Sequence, residues 1–199
     1  MLGEDIGKEK AIVFIDGNNF YHGLKVMGLP TKIDFEKFVL KLTKGFHLIK
    51  TFYYNSPLPQ QKDPEEYRKQ RKFFNYIGSL ARFELILGRL EKRVYTYPDD
   101  IYERIKDIYP QRTFETFVEK GVDVNIAVDM LRLAFLNYYE VAVLVSGDGD
   151  FVPVVKSVQD LGKKVINAYF IDKARRGYHL RKNSDSFIEI NQEFLKDCV

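Results

Sequence analysis

Residues Val141 to Phe151 read Val-Ala-Val-Leu-Val-Ser-Gly-Asp-Gly-Asp-Phe. Five consecutive apolar residues are what a strand covered on both faces requires, because neither side of it can be polar. Asp148 and Asp150 follow at once, one glycine apart, where such a strand leaves its sheet. In open parallel α/β sheets the carboxyl ends of the strands are where ligands bind. Two carboxylates this close repel each other unless a cation lies between them.

The N-terminal part repeats the arrangement. Ala11–Ile15 is a second apolar run, followed by Asp16, Gly17, Asn18 and Asn19. If the two strands are parallel neighbours, Asp16 reaches the same edge as Asp148 and Asp150. A third segment, Glu119-Lys-Gly-Val-Asp-Val, leads into an apolar helix carrying Asp129. Gly121 supplies a turn, and Asp123 falls near the helix start, where the helix dipole favours a negative charge. Each element also has an ordinary reading. Asp-Gly is a common hairpin turn, Asp123 alone is an N-cap, and Asp129 alone is a solvated or structural helix residue. Taken together, acidic residues following strands or opening a helix in three distant segments argue for one site.

The chain has 199 residues, 45% of them hydrophobic, which is enough for one well-packed domain. Its 31 basic and 28 acidic residues leave a net charge of +3, too even to identify a nucleic-acid binder. The single Cys198 excludes a disulfide framework and a cysteine metal site. Three dispersed histidines, His22, His47 and His179, argue against a histidine zinc site. There is no signal-peptide pattern and no apolar run near 20 residues, so a soluble, cytoplasmic protein without a membrane partner is the expectation.

Along the chain, residues 1–10 form a polar lead-in and 11–190 the domain, whose closing basic segment and tail span 173–199. A strand at Ala11–Ile15 is followed by a short helix or turn from Phe20 to Met27. Phe35, Phe38, Val39 and Leu42 share one helical face, and Phe46–Tyr54 reads as a strand. Asp63 and Pro64 open a helix to about Ile77. It carries Arg68, Lys69, Arg71 and Lys72, either a solvated face or a phosphate-contacting one. Two strands near Phe83–Gly88 and Lys92–Tyr97 suggest a hairpin through Gly88–Glu91. Residues 98–118 read as an insertion or long connection near the acidic edge. A helix to about Asn137, the Val141 strand, a helix from Phe151 to Leu161 with Pro153 in its first turn, and a strand at Lys164–Phe170 follow. Five of the ten residues from Lys173 to Lys182 are basic, Arg175, Arg176, Arg181 and Lys182 among them. Ser186–Ile190 closes as a last short strand. Alternating strands and helices argue an α/β fold with a mainly parallel sheet.

An all-oxygen ligand set suits Mg2+ or Mn2+. Such ions clamp a phosphodiester, activate water and stabilise the leaving oxygen. In this reading Asp16, Asp148 and Asp150 hold metal, and Asp123 serves as a second-metal ligand or general base. Asn18 or Asn19 orients phosphate or water, and Lys120 and the basic segments hold the flanking backbone. No phosphate-binding loop of the G-x-x-x-x-G-K-[ST] type is present. Val152 and Pro153 stand where a calcium loop starting at Asp148 needs a ligand and a glycine. Asp16 followed two residues on by Asn18 departs from haloacid-dehalogenase-type phosphatases, which need a second Asp there. That reading remains an alternative.

Three ordered motifs carry a resemblance: Phe14–Asn19, Glu119–Val124 with Asp129, and Ser146–Pro153 with Gly162–Val165. Over roughly residues 10–190 the chain resembles the NYN domain family in its LabA-like branch. The resemblance implies a PIN-like, Rossmann-like three-layer fold with a central, mainly parallel sheet flanked by helices. It also implies a metal-dependent ribonuclease acting on single-stranded or structured RNA. By motif match, Asp16, Asp123, Asp148 and Asp150 take the metal positions, Asn19 the polar position after the first Asp, and Asp129 a secondary acidic one. A non-catalytic RNA-binding or regulatory module on the same fold is the alternative the resemblance leaves open, and homodimers occur often among such folds.

Overall fold

The computed structural model describes residues 7–60, 63–171 and 177–199. In chain order its elements begin with β1 (Lys10–Asp16), α1 (Gly17–Val26), α2 (Phe35–Leu42), β2 (His47–Asn55), α3 (Pro64–Ser79) and β3 (Phe83–Leu87). Then come β4 (Arg89–Thr96), α4 (Asp99–Ile105), β5 (Thr113–Lys120), α5 (Val122–Phe135) and β6 (Val141–Val145). A single 3-10 turn, Gly149–Phe151, precedes α6 (Val152–Asp160), β7 (Lys164–Tyr169), α7 (Tyr178–Asn183), β8 (Ser186–Glu189) and α8 (Gln192–Leu195).

Six strands form one sheet in the order β3-β2-β1-β6-β7-β8, and every pairing within it is parallel. The chain winds outward from β1 through β2 to β3, then returns to β6 on the other side of β1 and winds outward again. The winding therefore reverses between β1 and β6, whose register sets Ile15 against Val145.

Alternation along β1 divides the core in two. Ala11, Val13 and Ile15 pack on one face with Phe20 and Leu24 of α1, Phe35 and Phe38 of α2, and Ile77 of α3. Ile12 and Phe14 pack on the other with Ile126 and Met130 of α5 and with Val155 and Val158 of α6. The molecule is thus a three-layer α/β fold of the PIN-like kind, with a mainly parallel sheet between helices. Residues 141–145 are all fully buried, as their unbroken apolar run requires. Each fully buried Val or Leu there contributes about 1.5–3 kcal/mol.

The helix starts follow from side chains. Asp34 accepts the Lys37 N–H, and Asp63 accepts those of Glu65 and Glu66, with Pro64 opening α3. At α5 the cap position belongs to Gly121, not Asp123. Gly121 has φ +90°, which only glycine adopts without strain, and Asp123 lies within the first turn.

Two expectations are corrected. The segments around Phe83 and Lys92 do not form a hairpin. β3 joins the main sheet beside β2, and β4 pairs antiparallel with β5, from Arg89↔Lys120 to Thr96↔Thr113. Residues 98–118 are accordingly no loose connection. They hold α4 and most of β5, the return strand of a two-stranded ribbon whose base opens α5. Among the described residues no helix is long and apolar enough to cross a membrane.

Candidate functional site

Asp16 ends β1 and caps α1. Its Oδ1 accepts the Asn19 N–H at 3.1 Å, and its Oδ2 accepts the Ser146 hydroxyl at 3.1 Å. Asp16 is 4% exposed, so ionising it removes a charge from water. Burial raises its pKa from 3.8 to about 7, against the two hydrogen bonds, which lower it; Asp123 and Glu119 raise it further.

Asp148 lies just beyond β6. Its Oδ1 accepts the Asp150 N–H at 2.9 Å, which turns the chain into the 3-10 turn and sets both carboxylates at the mouth of the β1–β6 crevice. Asp123 approaches from α5. Burial raises its pKa, and Asp148 and Asp150 raise it further. Glu119, on β5, is raised by burial first and then by Asp123, while the Asn18 side chain lowers it. Five carboxylates from three segments therefore feel one another at the point where the winding reverses, the position at which open α/β sheets bind ligands.

Glu119 is the member that the sequence left unassigned. Asn18 Nδ2 donates to Glu119 Oε2 at 3.0 Å, which joins the start of α1 to the ribbon base. Ser146 and Asn167 are further residues that sequence reasoning missed. The Ser146 hydroxyl bridges the Asp148 N–H to Asp16. Asn167, fully buried on β7, donates to the carbonyls of Leu144 and Ser146. A lone Asn inside the apolar run of β7 was the available signal.

Other expected residues fall in different places. Asn19 turns its Oδ1 to the Gly147 N–H at 3.0 Å, so it fixes the loop after β6 and acts as a positioning residue. Asp129 stands apart from the acidic group: it accepts from the Tyr54 hydroxyl at 3.0 Å and pairs with Arg132 at 3.0 Å. Lys120, half-buried, ends β5 beside Glu119. Arg68, Arg71 and Lys72 are exposed on α3, whereas Lys69 pairs with Glu65 and Glu66 at 2.9 Å. Arg181 lies over the Phe187 ring and Lys182 is exposed, both on α7, and the His179 side chain of that helix approaches Gly149. Arg175 and Arg176 lie outside the described residues.

The donor set fits a hard divalent cation: oxygen ligands only, mutually repelling, with Asp16 desolvated. As placed, however, no three His, Cys, Asp or Glu side chains among the described residues are close enough together to hold one ion. Mutual repulsion of the carboxylates is consistent with that spacing.

A cavity of about 440 Å³ opens beside the site. Asn18 is on its rim, and Tyr53 forms part of its wall. Burial holds the Tyr53 hydroxyl above its usual range, the Asn55 side chain opposes that rise, and the Asp16 carboxylate adds to it.

Comparison with known proteins agrees with this architecture. The family model described as the NYN domain matches residues 10–191. The uncharacterized protein MJ0482 of Methanocaldococcus jannaschii is 27% identical over 176 residues, which are 87% of this chain and 66% of that protein. The chain thus spans just under two-thirds of that relative. The crystal structure of a protein of unknown function, VPA0982 from Vibrio parahaemolyticus, matches with a TM-score of 0.66 at 24% identity. That likeness covers 94% of this chain and 96% of the other, and it is one of fold. With the matched residues spanning the whole sheet and all five carboxylates, the chain belongs to the NYN domain family.

Proposed function

We propose that the protein is a metal-dependent ribonuclease, of the LabA-like branch, that hydrolyses RNA phosphodiester bonds at the β1–β6 edge. The observation that carries this reading is the convergence there of carboxylates from three segments, with Asp16, Glu119 and Asp123 each raised by burial and by neighbouring carboxylates. An acidic edge repels an RNA backbone, so it suits that substrate best together with a bound cation.

Asp16, Asp123, Asp148 and Asp150 would hold Mg2+ or Mn2+, with Glu119 next in reach through its coupling to Asp123. When bound, the ion supplies charge neutralisation of the phosphate and a more acidic water. The chain's own groups do the rest. Ser146 and the Asn19 N–H hold the Asp16 carboxylate in one orientation. Asn19 and Asn167 fix the loop that carries Asp148. Asp123, whose proton affinity is raised by burial and then by its acidic neighbours, is suited to take a proton from the attacking water. Arg68, Arg71 and Lys72 on α3, and Arg181 and Lys182 on α7, offer cations for flanking phosphates.

The test is incubation with single-stranded and structured RNAs in Mn2+ or Mg2+, with Asp148→Asn in parallel. Cleavage should depend on the divalent ion and fall by about 100-fold or more in the variant. Equal cleavage by Asp148→Asn rejects the site. Salt-sensitive RNA binding without turnover in either ion leaves the binding-module alternative instead.

A further inference from the structure

We infer that the cavity beside the acidic edge is a nucleobase pocket, receiving one base of the RNA whose phosphate lies at the carboxylates; this rests on the ribonuclease reading. The first observation is continuity. Asn18 lines the cavity and also holds Glu119 of the acidic group at 3.0 Å. Tyr53 lines the cavity while its hydroxyl feels the Asp16 charge. One residue of a bound chain can therefore place its base in the cavity and its phosphate at the edge.

The second observation is the chemistry of the walls. Phe35, Tyr53 and Phe73 line the cavity and meet one another in edge-on or tilted contacts at ring separations of 5.5–5.7 Å, so part of its wall is aromatic. Tyr21 and His22 stand on the rim of the same cavity, both exposed and in edge contact with each other at 6.1 Å. Flat π-faces of this kind stack on bases irrespective of sequence. Polar groups flank the rings. Asn55 is 9% exposed, has its Oδ1 fixed by the Ser56 N–H at 2.7 Å, and bonds the Tyr53 hydroxyl, so an amide and a phenol share this wall. Asn18 adds a second amide at the end nearest the carboxylates. Amides and a hydroxyl beside an aromatic surface match the hydrogen-bonding edge of a base. An aliphatic ligand would leave the spare hydrogen-bonding capacity of these groups unused. At about 440 Å³ the cavity lies in the range of small-ligand sites, roughly 300–1,000 Å³.

The experiment uses the intact chain in a chelating buffer. The four ribonucleosides and ribose are titrated while the Tyr21 and His22 ring resonances are followed by NMR. Uncharged probes avoid both the metal and repulsion by the carboxylates. At least one nucleoside should bind with ring shifts where ribose gives none. Tyr21→Ala, a rim change that leaves the buried rings in place, should weaken that binding about 10-fold. Phe73→Leu should weaken it too, and Asp148→Asn should not. Ribose shifting the same resonances as strongly, or nucleoside affinity unchanged in Tyr21→Ala, overturns the pocket. The two readings fail separately. RNA cleavage in Mn2+ that is unaffected by Tyr21→Ala rejects the pocket and keeps the nuclease. Nucleoside binding with no RNA cleavage under either ion does the reverse.

Discussion

Replacing Asp16 with Asn should stabilise the metal-free protein at alkaline pH, although it removes a residue central to the site. Burial holds this carboxyl at about 7 instead of 3.8. Each pH unit of such a displacement corresponds to 1.36 kcal/mol, so the folded state favours the protonated form by about 4 kcal/mol. The sign is set by proton uptake. Between about pH 4 and pH 7 the folded chain keeps a proton that the unfolded chain has lost. Stability is therefore highest below the unfolded pKa, falls across that window, and is flat above it. The asparagine side chain is neutral throughout. It can still accept the Asn19 N–H, but its amide nitrogen then meets the Ser146 hydroxyl, which must turn to accept, at a cost of about 1 kcal/mol. The variant should thus exceed the wild type by roughly 3 kcal/mol at pH 8, a Tm rise of about 6–12 °C for a chain of this size. At pH 5 the gap should close to about 1 kcal/mol or less. Urea unfolding in a chelator at both pH values reads this directly. A variant equally destabilised at pH 5 and pH 8 would show that Asp16 ionises as an ordinary carboxyl, and the argument for an uncompensated charge would collapse.

If the site holds a cation, the same charge should make the wild type responsive to metal. Mn2+ or Mg2+ at 100 times its dissociation constant should add about 2.7 kcal/mol to stability, and Asp16→Asn should lose most of that gain; identical melting shifts in the two proteins count against Asp16 as a ligand. Tyr54→Phe removes a buried hydroxyl that donates to Asp129. It should cost about 1–2 kcal/mol in urea unfolding while leaving RNA cleavage unchanged, and a loss of cleavage without a loss of stability would put Asp129 back in the acidic group. Gly17→Ala introduces a Cβ 2.4 Å from the buried Tyr53 ring, so it should destabilise by about 1–3 kcal/mol and shift the Tyr53 NMR signals; full stability in thermal melting would mean that the ring moves at little cost.

What the sequence revealed depended on whether a residue's role is local. β1 and β6 were legible because strands buried on both faces must be apolar throughout. The cap at Asp63 was legible because a cap acts within three residues of itself. The false hairpin came from the rule that successive strands usually pair. Here β3 finds its partner in β2, and β4 finds one across α4 in β5. β4 and β5 hold no fully buried residue and α4 buries none, so the ribbon carries no core pattern to read. Glu119 failed for the same reason. On an exposed ribbon an acid is ordinary, and only its meeting with Asn18, 101 positions away, marks it as part of the site.

The ribbon also divides the acidic group into unequal halves. Asp16 and Asp148 sit at the ends of β1 and β6, in the centre of a six-stranded sheet, and are tied together through Ser146. Asp123 rides on α5, which Val122 and Ile126 anchor in the core. Glu119 instead belongs to a two-stranded ribbon, and its carboxylate is joined to the site by the hydrogen bond from the exposed Asn18. When like charges repel, displacement falls on the element with the least buried area to lose. That element is the ribbon base. The separation between Glu119 and the sheet-borne carboxylates is thus the softest distance in the site. If a cation binds at the edge, it would draw in Glu119 before it moved Asp16 or Asp148, and metal binding would then be coupled to the position of the β4–β5 ribbon through this one residue.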